Sequence, residues 1–235
     1  MALDVKTFDL KSFTPARVAL GTSMATGEVL RFALDHARAR DAVHAELDPS
    51  SLRRPLTVIE SQAKDRKTFL LRPDLGRRLK TPLSPGPYDA AIILADGLSA
   101  LAIHRHAEHL LDCLLPLLDS WSLAPLLVAR QARVALGDDV GAQLDARLTL
   151  MLIGERPGLS SPDSLGAYIT WDPRPGRTDA DRNCVSNIRP QGLSYPAAAT
   201  LIAFLMQEAR ARRLSGVTLK SDSSPHSLPH PGPNP

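Results

Sequence analysis

Short apolar runs alternate with longer helical patterns over the later part of the chain. Residues 90–95 form a continuous apolar run that ends at Asp96-Gly97, as is typical of a buried strand. Ser99 can cap a helix that runs to about Asp119. Further strands are predicted at residues 125–128, 148–153, 167–170 and 217–219, and further helices at 137–146 and 195–213. This alternation indicates an α/β fold, with a Rossmann-like, mostly parallel sheet and helices on both faces.

The region before this alternation has a different pattern. Apolar residues at helical spacing predict an amphipathic helix over residues 28–47, which Asp48-Pro49 would end. Residues 81–88 are rich in proline and are interpreted as a linker. We therefore predict three parts. The first is a small helical N-terminal domain over residues 1–82, in which the flexibility of residues 1–11 is left open. The second is a Rossmann-like domain over residues 83–220, and the third is a disordered Pro/Ser-rich tail over residues 221–235.

Composition narrows the class of protein. The chain is 43% hydrophobic, enough for a sizeable core, yet it has no apolar run near the roughly 18 residues of a membrane span. Residues 1–12 lack the apolar segment of a signal peptide, so we expect a cytoplasmic protein without membrane contact. A net charge of +3 and an aromatic content of 4% do not favour nucleic acid as a partner. Cys113 and Cys184 are predicted to be free thiols.

Polar segments follow three of the predicted strands, where ligands bind in open α/β sheets. Residues 95–100 could present backbone N–H groups to an anionic ligand, but an ordinary capped turn is an equal alternative. In residues 154–159, Glu155 and Arg156 lie between two glycines, and we favour a ligand role over a loop closed by an ion pair. Residues 179–190 are predicted to be a polar loop, for which a cofactor contact and a structural cap are equally open.

Histidines at positions 104, 106 and 109, with Cys113 one turn further, could suggest a metal site. There is no second ligand cluster and no CxxC or HExxH motif, so no metal ligand is predicted, and the solvated flank of an amphipathic helix is the better interpretation. The absence of GxGxxG disfavours a dinucleotide site, and the absence of GxxxxGK[ST] excludes a P-loop.

Six ordered motifs go further than these patterns. They are residues 12–18 (SFTPARV), 70–79 (LLRPDLGRRL), 95–100 (ADGLSA), 133–138 (RVALGD), 154–159 (GERPGL) and 183–188 (NCVSNI). Together they resemble the landmarks of the ethanolamine ammonia-lyase small (light) subunit family, over about residues 12–220.

The resemblance implies a subunit of a heteromeric lyase that converts ethanolamine to acetaldehyde and ammonia by a radical rearrangement. In that family the large subunit, a TIM-type barrel, holds the substrate and the catalytic groups, so no catalytic residue is expected here. The small subunit closes over the corrinoid of adenosylcobalamin, and the contacts carried over by motif are Val134, Glu155 and Cys184. Because the chain lacks a DxHxxG motif, base-on binding is implied, and the domain at 83–220 would contact the cofactor.

The sequence leaves the location and an alternative function open. Residues 1–12 form a poor amphipathic targeting helix, so encapsulation in a bacterial microcompartment is undecided. The alternative function is a non-catalytic scaffold that docks a large partner through the basic stretch at residues 53–78. A free-standing enzyme would need an acid, a base and a nucleophile, and no such set is evident.

Overall fold

The computed structural model describes residues 26–222. The expectations for residues 1–25 and 223–235, including the first family motif and most of the tail, lie outside the described residues. The strands are β1 (Thr57–Glu60), β2 (Ala90–Ala95), β3 (Leu127–Arg130), β4 (Leu148–Gly154), β5 (Leu165–Trp171) and β6 (Arg182–Ile188). The helices are α1 (Thr26–His44), α2 (Arg66–Leu71), α3 (Ala100–Ala102), α4 (Glu108–Leu114), α5 (Leu136–Leu144), α6 (Tyr195–Arg212) and α7 (Val217–Asp222). A π-helical turn, Ile103–Ala107, joins α3 to α4.

All six strands form one sheet in the order β1-β3-β2-β4-β5-β6. The first four in this order are parallel, β5 is antiparallel to β4, and β6 is antiparallel to β5. The α/β class is confirmed, but the sheet is mixed rather than mostly parallel. The cause is the connection after β4, which is a short loop without a crossover helix and therefore returns the chain in the opposite direction.

Two predicted elements are wrong. The polar segment at 179–190 contains strand β6, in which buried residues such as Val185 alternate only partly with exposed ones such as Cys184. One side of this edge strand is polar, which hid the period-two pattern. The apolar triplet at 217–219 belongs to helix α7 rather than to a strand, and so short a run does not distinguish the two.

The N-terminal region contributes to the same sheet, because β1 pairs with β3. Helix α1 forms close to its predicted place, but of its residues only Ala42 is buried within the described part of the chain. The residues of the predicted linker have no regular structure and run along α5, where the backbone N–H of Gly86 donates to the carbonyl oxygen of Leu144 at 3.0 Å. The boundary between residues 82 and 83 stays a prediction.

The two faces of the sheet are covered to different extents. Helices α3, α4 and α6 pack on one face over a large apolar cluster that includes Leu111, Leu150 and Ile202. On the other face α5 packs over β2 and β4, with Leu136 and Met151 in a second cluster. On this second side α5 reaches the start of β6, where Asp138 pairs with Arg182, but no helix of residues 26–222 on this side packs over the rest of β5 and β6. We call this area the open face; it is defined by Gly166, Tyr168, Cys184 and Ser186.

Candidate functional site

Val134 lies beside the open face, at the entrance to α5. Its carbonyl oxygen accepts a hydrogen bond from Gly137 at 3.0 Å, which fixes the turn between β3 and the helix. The half-buried side chain packs against the second apolar cluster. It also lines a cleft of about 650 Å³ between α5, the loop after β4 and the segment before β6. A ligand lying on the open face would therefore meet Val134 at one edge.

Glu155 follows β4 directly and ties three strand ends together. Its carboxylate accepts hydrogen bonds from the hydroxyl of Ser164 and from the backbone N–H of Asn187, the latter at 3.2 Å. The side chain lies over Gly166, where an added Cβ would come within 2.9 Å of Oε1 of Glu155. No ion pair forms between Glu155 and Arg156. The carboxylate thus borders the open face and holds the loop that ends β4 against β5 and β6.

Cys184 is exposed at the middle of β6 and lies opposite Tyr168 of β5. Its Sγ atom is 3.1 Å from the hydroxyl oxygen of Ser186, so the two polar groups share one side of the strand. Burial, followed by the nearby Cys184 thiol and Glu155 carboxylate, raises the pKa of Tyr168 above its usual value. The phenol therefore stays protonated and can donate a hydrogen bond.

The structure brings the three residues predicted from the family motifs to one side of the sheet. Val134 and Tyr168 contact the same apolar cluster, Cys184 pairs with Tyr168, and Glu155 covers Gly166, two residues before Tyr168. Alternate residues of a strand face the same way, so these contacts define one surface. Tyr168 itself was missed by sequence reasoning, although a tyrosine inside a short apolar strand is a signal that could have marked it.

The turn at residues 95–100 fits the interpretation as an ordinary capped turn rather than as a binding site for an anionic ligand. The Asp96 carboxylate is buried and accepts hydrogen bonds from the backbone N–H groups of Gln131 and Ala132, at 2.8 and 3.0 Å. Burial raises the pKa of Asp96, against the effect of these hydrogen bonds and of Arg66. The group therefore connects β2 to the end of β3 rather than to a ligand.

Gly154 packs directly against this same turn. A Cβ at Gly154 would overlap the carbonyl oxygen of Ser99, and Leu98 donates to the carbonyl oxygen of Gly154 at 3.0 Å. Gly97 has a φ of 51°, which suits glycine. The close approach at the end of β4 thus joins two strand ends.

The histidines belong to the covered side of the sheet. His106 is buried rather than solvated, because the π-helical turn rotates it inward, and its Nδ1 atom is 2.8 Å from the hydroxyl oxygen of Tyr195. Nε2 of His104 accepts a hydrogen bond from the backbone of Asp48 at 3.0 Å. Among residues 26–222 no group of three His, Cys, Asp or Glu side chains is placed to hold a metal ion.

Comparison with known proteins identifies the family of this chain. The family model described as ethanolamine ammonia-lyase light chain (EutC) matches residues 5–220. The chain belongs to the ethanolamine ammonia-lyase small-subunit family. This membership confirms the resemblance carried by the six motifs, and it makes the chain one subunit of a lyase.

Relatives of this small subunit are similar over nearly their full length. The ethanolamine ammonia-lyase small subunit of Azotobacter vinelandii is 51% identical, with 96% of this chain and 92% of the relative covered. The one from Bradyrhizobium diazoefficiens is 53% identical, with coverages of 93% and 91%. The one from Pseudomonas putida GB-1 is 50% identical, with coverages of 95% and 90%.

The basic stretch of the small subunit at residues 53–78 is partly neutralised by the fold, since Arg53, Arg54, Arg66 and Arg72 have carboxylate partners. Nη2 of Arg54 is 2.6 Å from Oδ1 of Asp112 on α4. The guanidinium group of Arg66 is buried, with Nη1 3.5 Å from Oδ2 of Asp96. These ion pairs give part of the stretch an internal role, and the scaffold hypothesis stays a prediction. None of the helices in the described part of the chain has the length and apolar character of a membrane span.

Proposed function

We propose that this small subunit serves an adenosylcobalamin-dependent ethanolamine ammonia-lyase, which converts ethanolamine to acetaldehyde and ammonia. Its open face contacts the corrinoid at the interface with the large subunit. The observation that carries the proposal is the meeting of Val134, Glu155 and Cys184 on one uncovered side of the sheet. Three residues selected by motif, far apart in sequence, border one surface.

The chemistry of this surface fits a corrinoid. The ring is flat and largely apolar, with amide side chains around its edge. Val134 and the ring of Tyr168 offer half-buried apolar contact, while the Ser186 hydroxyl, the Cys184 thiol and the Tyr168 phenol can bond amide groups. An edge strand without a covering helix leaves room for an object of that shape.

The histidines support base-on binding. The cleft beside the open face is lined without a histidine, and His104, His106 and His109 lie on the helical segment that covers the other face. His104, His106 and His109 would therefore take no part in holding the cofactor, which would bind base-on with its own benzimidazole.

Binding and positioning are the work of this chain in the proposed mechanism. Bound adenosylcobalamin supplies the radical that starts the rearrangement. Glu155 holds the loop after β4 in place, and Cys184 and the protonated phenol of Tyr168 would orient the ring edge. Docking of the large subunit on the open face excludes water from the cofactor. The substrate and the catalytic groups belong to the large subunit.

Co-expression with a candidate large subunit tests the function. We expect a stable complex that deaminates ethanolamine when adenosylcobalamin is added, and no activity from either chain alone. Absence of a complex, or a complex whose activity does not depend on the cofactor, would refute the proposal.

A pair of matched variants locates the surface. Cys184→Trp fills the open face with an indole, whereas Thr200→Trp places the same group on the exposed side of α6, on the opposite side of the sheet. We expect Cys184→Trp to weaken cobalamin binding by the complex at least about ten-fold, a change of about 1.4 kcal/mol. Thr200→Trp should leave the affinity unchanged. Equal effects of the two variants would place the corrinoid elsewhere.

A further inference from the structure

The cleft beside Val134 is strongly cationic. Apart from Pro73, Val134, Ala135 and Thr178, it is lined by a single carboxylate, Asp179, and by five arginines, Arg77, Arg133, Arg156, Arg177 and Arg182. The arginines come from four separate parts of the sequence, so only the fold collects them. Such a concentration of guanidinium groups attracts an anion.

Two of these arginines already have anionic partners. Nη2 of Arg177 is 2.8 Å from Oδ2 of Asp172. Arg182 is buried and bonded to the carboxylate of Asp138 on α5. These two side chains serve to hold the segment before β6 against the helix.

The other three arginines lack a carboxylate within ion-pair distance among residues 26–222. Arg77 and Arg156 are exposed at the rim of the cleft. Arg133 is half-buried, and its Nε atom is buried without a hydrogen-bond partner in the described part of the protein. A buried unpaired donor on a cation is costly, and it is satisfied most simply by an anionic acceptor.

Packing fixes the position of Arg133. Its guanidinium group lies over the ring of Phe69, 4.2 Å from the centroid, while Arg66 lies over the same ring at 4.8 Å. A Cβ at Gly76 would come within 2.9 Å of Cδ2 of Phe69 and 3.0 Å of Cγ of Arg133. The side chain is therefore held in place before any ligand binds, which lowers the entropic cost of binding.

The charges around Arg133 also favour binding of an anion in the cleft. Burial, and then the neighbouring guanidinium groups of Arg66, Arg77 and Arg156, lower the pKa of Arg133 from its usual value. Asp96, which pairs with Arg66, offsets the mutual repulsion of these cations only in part. A bound anion would relieve it.

We infer that Arg77, Arg133 and Arg156 form a binding site for a phosphate group, and that this group is the phosphodiester in the nucleotide loop of cobalamin. The assignment rests on the proposed function: Val134, one of the three residues selected by motif, lines the cleft and packs against the same apolar cluster as Tyr168 of the open face. Guanidinium groups match the geometry of phosphate oxygens with paired hydrogen bonds. A cofactor bound base-on carries one such phosphodiester below its ring, and a cleft of about 650 Å³ accommodates it.

Binding of the phosphate group can be distinguished from binding of the corrinoid ring with two corrinoids. Cyanocobalamin carries the nucleotide loop, whereas dicyanocobinamide has the same ring without the loop and its phosphate. Both would be titrated into the complex of small and large subunits, as wild type and with Arg133→Gln, Arg156→Gln or Arg147→Gln. Arg147 is an exposed arginine at the start of β4, paired with Asp89 and outside the cleft, so it serves as the control.

Arg133→Gln and Arg156→Gln should each lower the affinity for cyanocobalamin about ten-fold and change that for dicyanocobinamide less than two-fold. Arg147→Gln should alter neither. Arg156 is exposed, so Arg156→Gln keeps the test valid even if Arg133→Gln fails to fold. An unchanged affinity for cyanocobalamin, or an equal loss for both corrinoids, would overturn the inference.

Inorganic phosphate distinguishes the possible sources of the anion. In the wild-type complex it should compete with cyanocobalamin and not with dicyanocobinamide. If the arginine variants instead weaken assembly with the large subunit when no corrinoid is present, the cations pair with carboxylates of the partner and the inference is wrong. If the wild-type complex binds neither corrinoid, the proposed function fails and so does the assignment to cobalamin. Phosphate titration of the small subunit then shows whether the cleft is a free-phosphate site or no phosphate site.

Discussion

The two faces of the sheet differ in burial, and with it in their expected contributions to stability. On the covered face, Leu111 and Ile202 are fully buried between helices and strands. On the open face, Cys184 is exposed and Tyr168 is only partly buried. Burial of apolar surface stabilises the fold, whereas an uncovered polar side of a sheet contributes little stability and is free to bind. The side of β5 and β6 that no helix of residues 26–222 covers is therefore the side on which we propose binding.

The largest expected effect lies on the covered face. Leu111→Ala removes a fully buried side chain and leaves a cavity, so we expect the free energy of unfolding to fall by about 2–5 kcal/mol. Cys184→Ala on the open face should change it by about 0.5 kcal/mol or less. Urea denaturation of both variants measures the difference. Equal losses would contradict the division between the two faces.

A smaller effect is expected at the border of the open face. Glu155→Ala leaves the Ser164 hydroxyl and the Asn187 N–H without their acceptor, which should cost about 1–2 kcal/mol of unfolding free energy because the site is half-exposed. Glu155→Gln retains an acceptor oxygen and should lose less than half as much. Denaturation curves of the two variants check this. An Ala variant as stable as wild type would show that the carboxylate does not hold the strand ends.

The smallest effect concerns pH and belongs to the covered face. Burial lowers the pKa of His106 despite the opposing influence of Asp163. The unfolded chain therefore binds a proton that the folded chain resists, so this contribution to stability is present above pH 6.5, the ordinary value, and is lost as the pH falls below it. His106→Gln should flatten the decline in stability between pH 7 and pH 5. A steeper decline in the variant would show that the ion pair with Asp163 outweighs burial.

The strands that are buried on both faces were the elements predicted best from the sequence. Strand β2 was located to the residue and β4 to within one, because both faces are buried and the apolar runs end at Asp or Gly. Strand β6 was taken for a loop, because its exposed side is polar. The direction of β5 depends on the absence of a crossover helix, and a pattern of single strands does not report pairing direction.

The candidate site, like the sheet, was only partly predictable from the sequence. Val134, Glu155 and Cys184 were indicated by family motifs, and the fold places them on one surface. The arginine site was not foreseen, because Arg77, Arg133 and Arg156 belong to separate segments that only the tertiary structure collects. Their lack of carboxylate partners among residues 26–222, which is what points to a ligand, depends on the tertiary structure.

The contact of Phe69 with two guanidinium groups and with Gly76 constrains how the family can vary. A side chain at position 76 would occupy the space that the ring takes, and a smaller residue at position 69 would leave both cations without a surface to lie on. Substitutions at these two positions are therefore tolerated only in combination. Across the family, the ring and the glycine should be inherited as a pair.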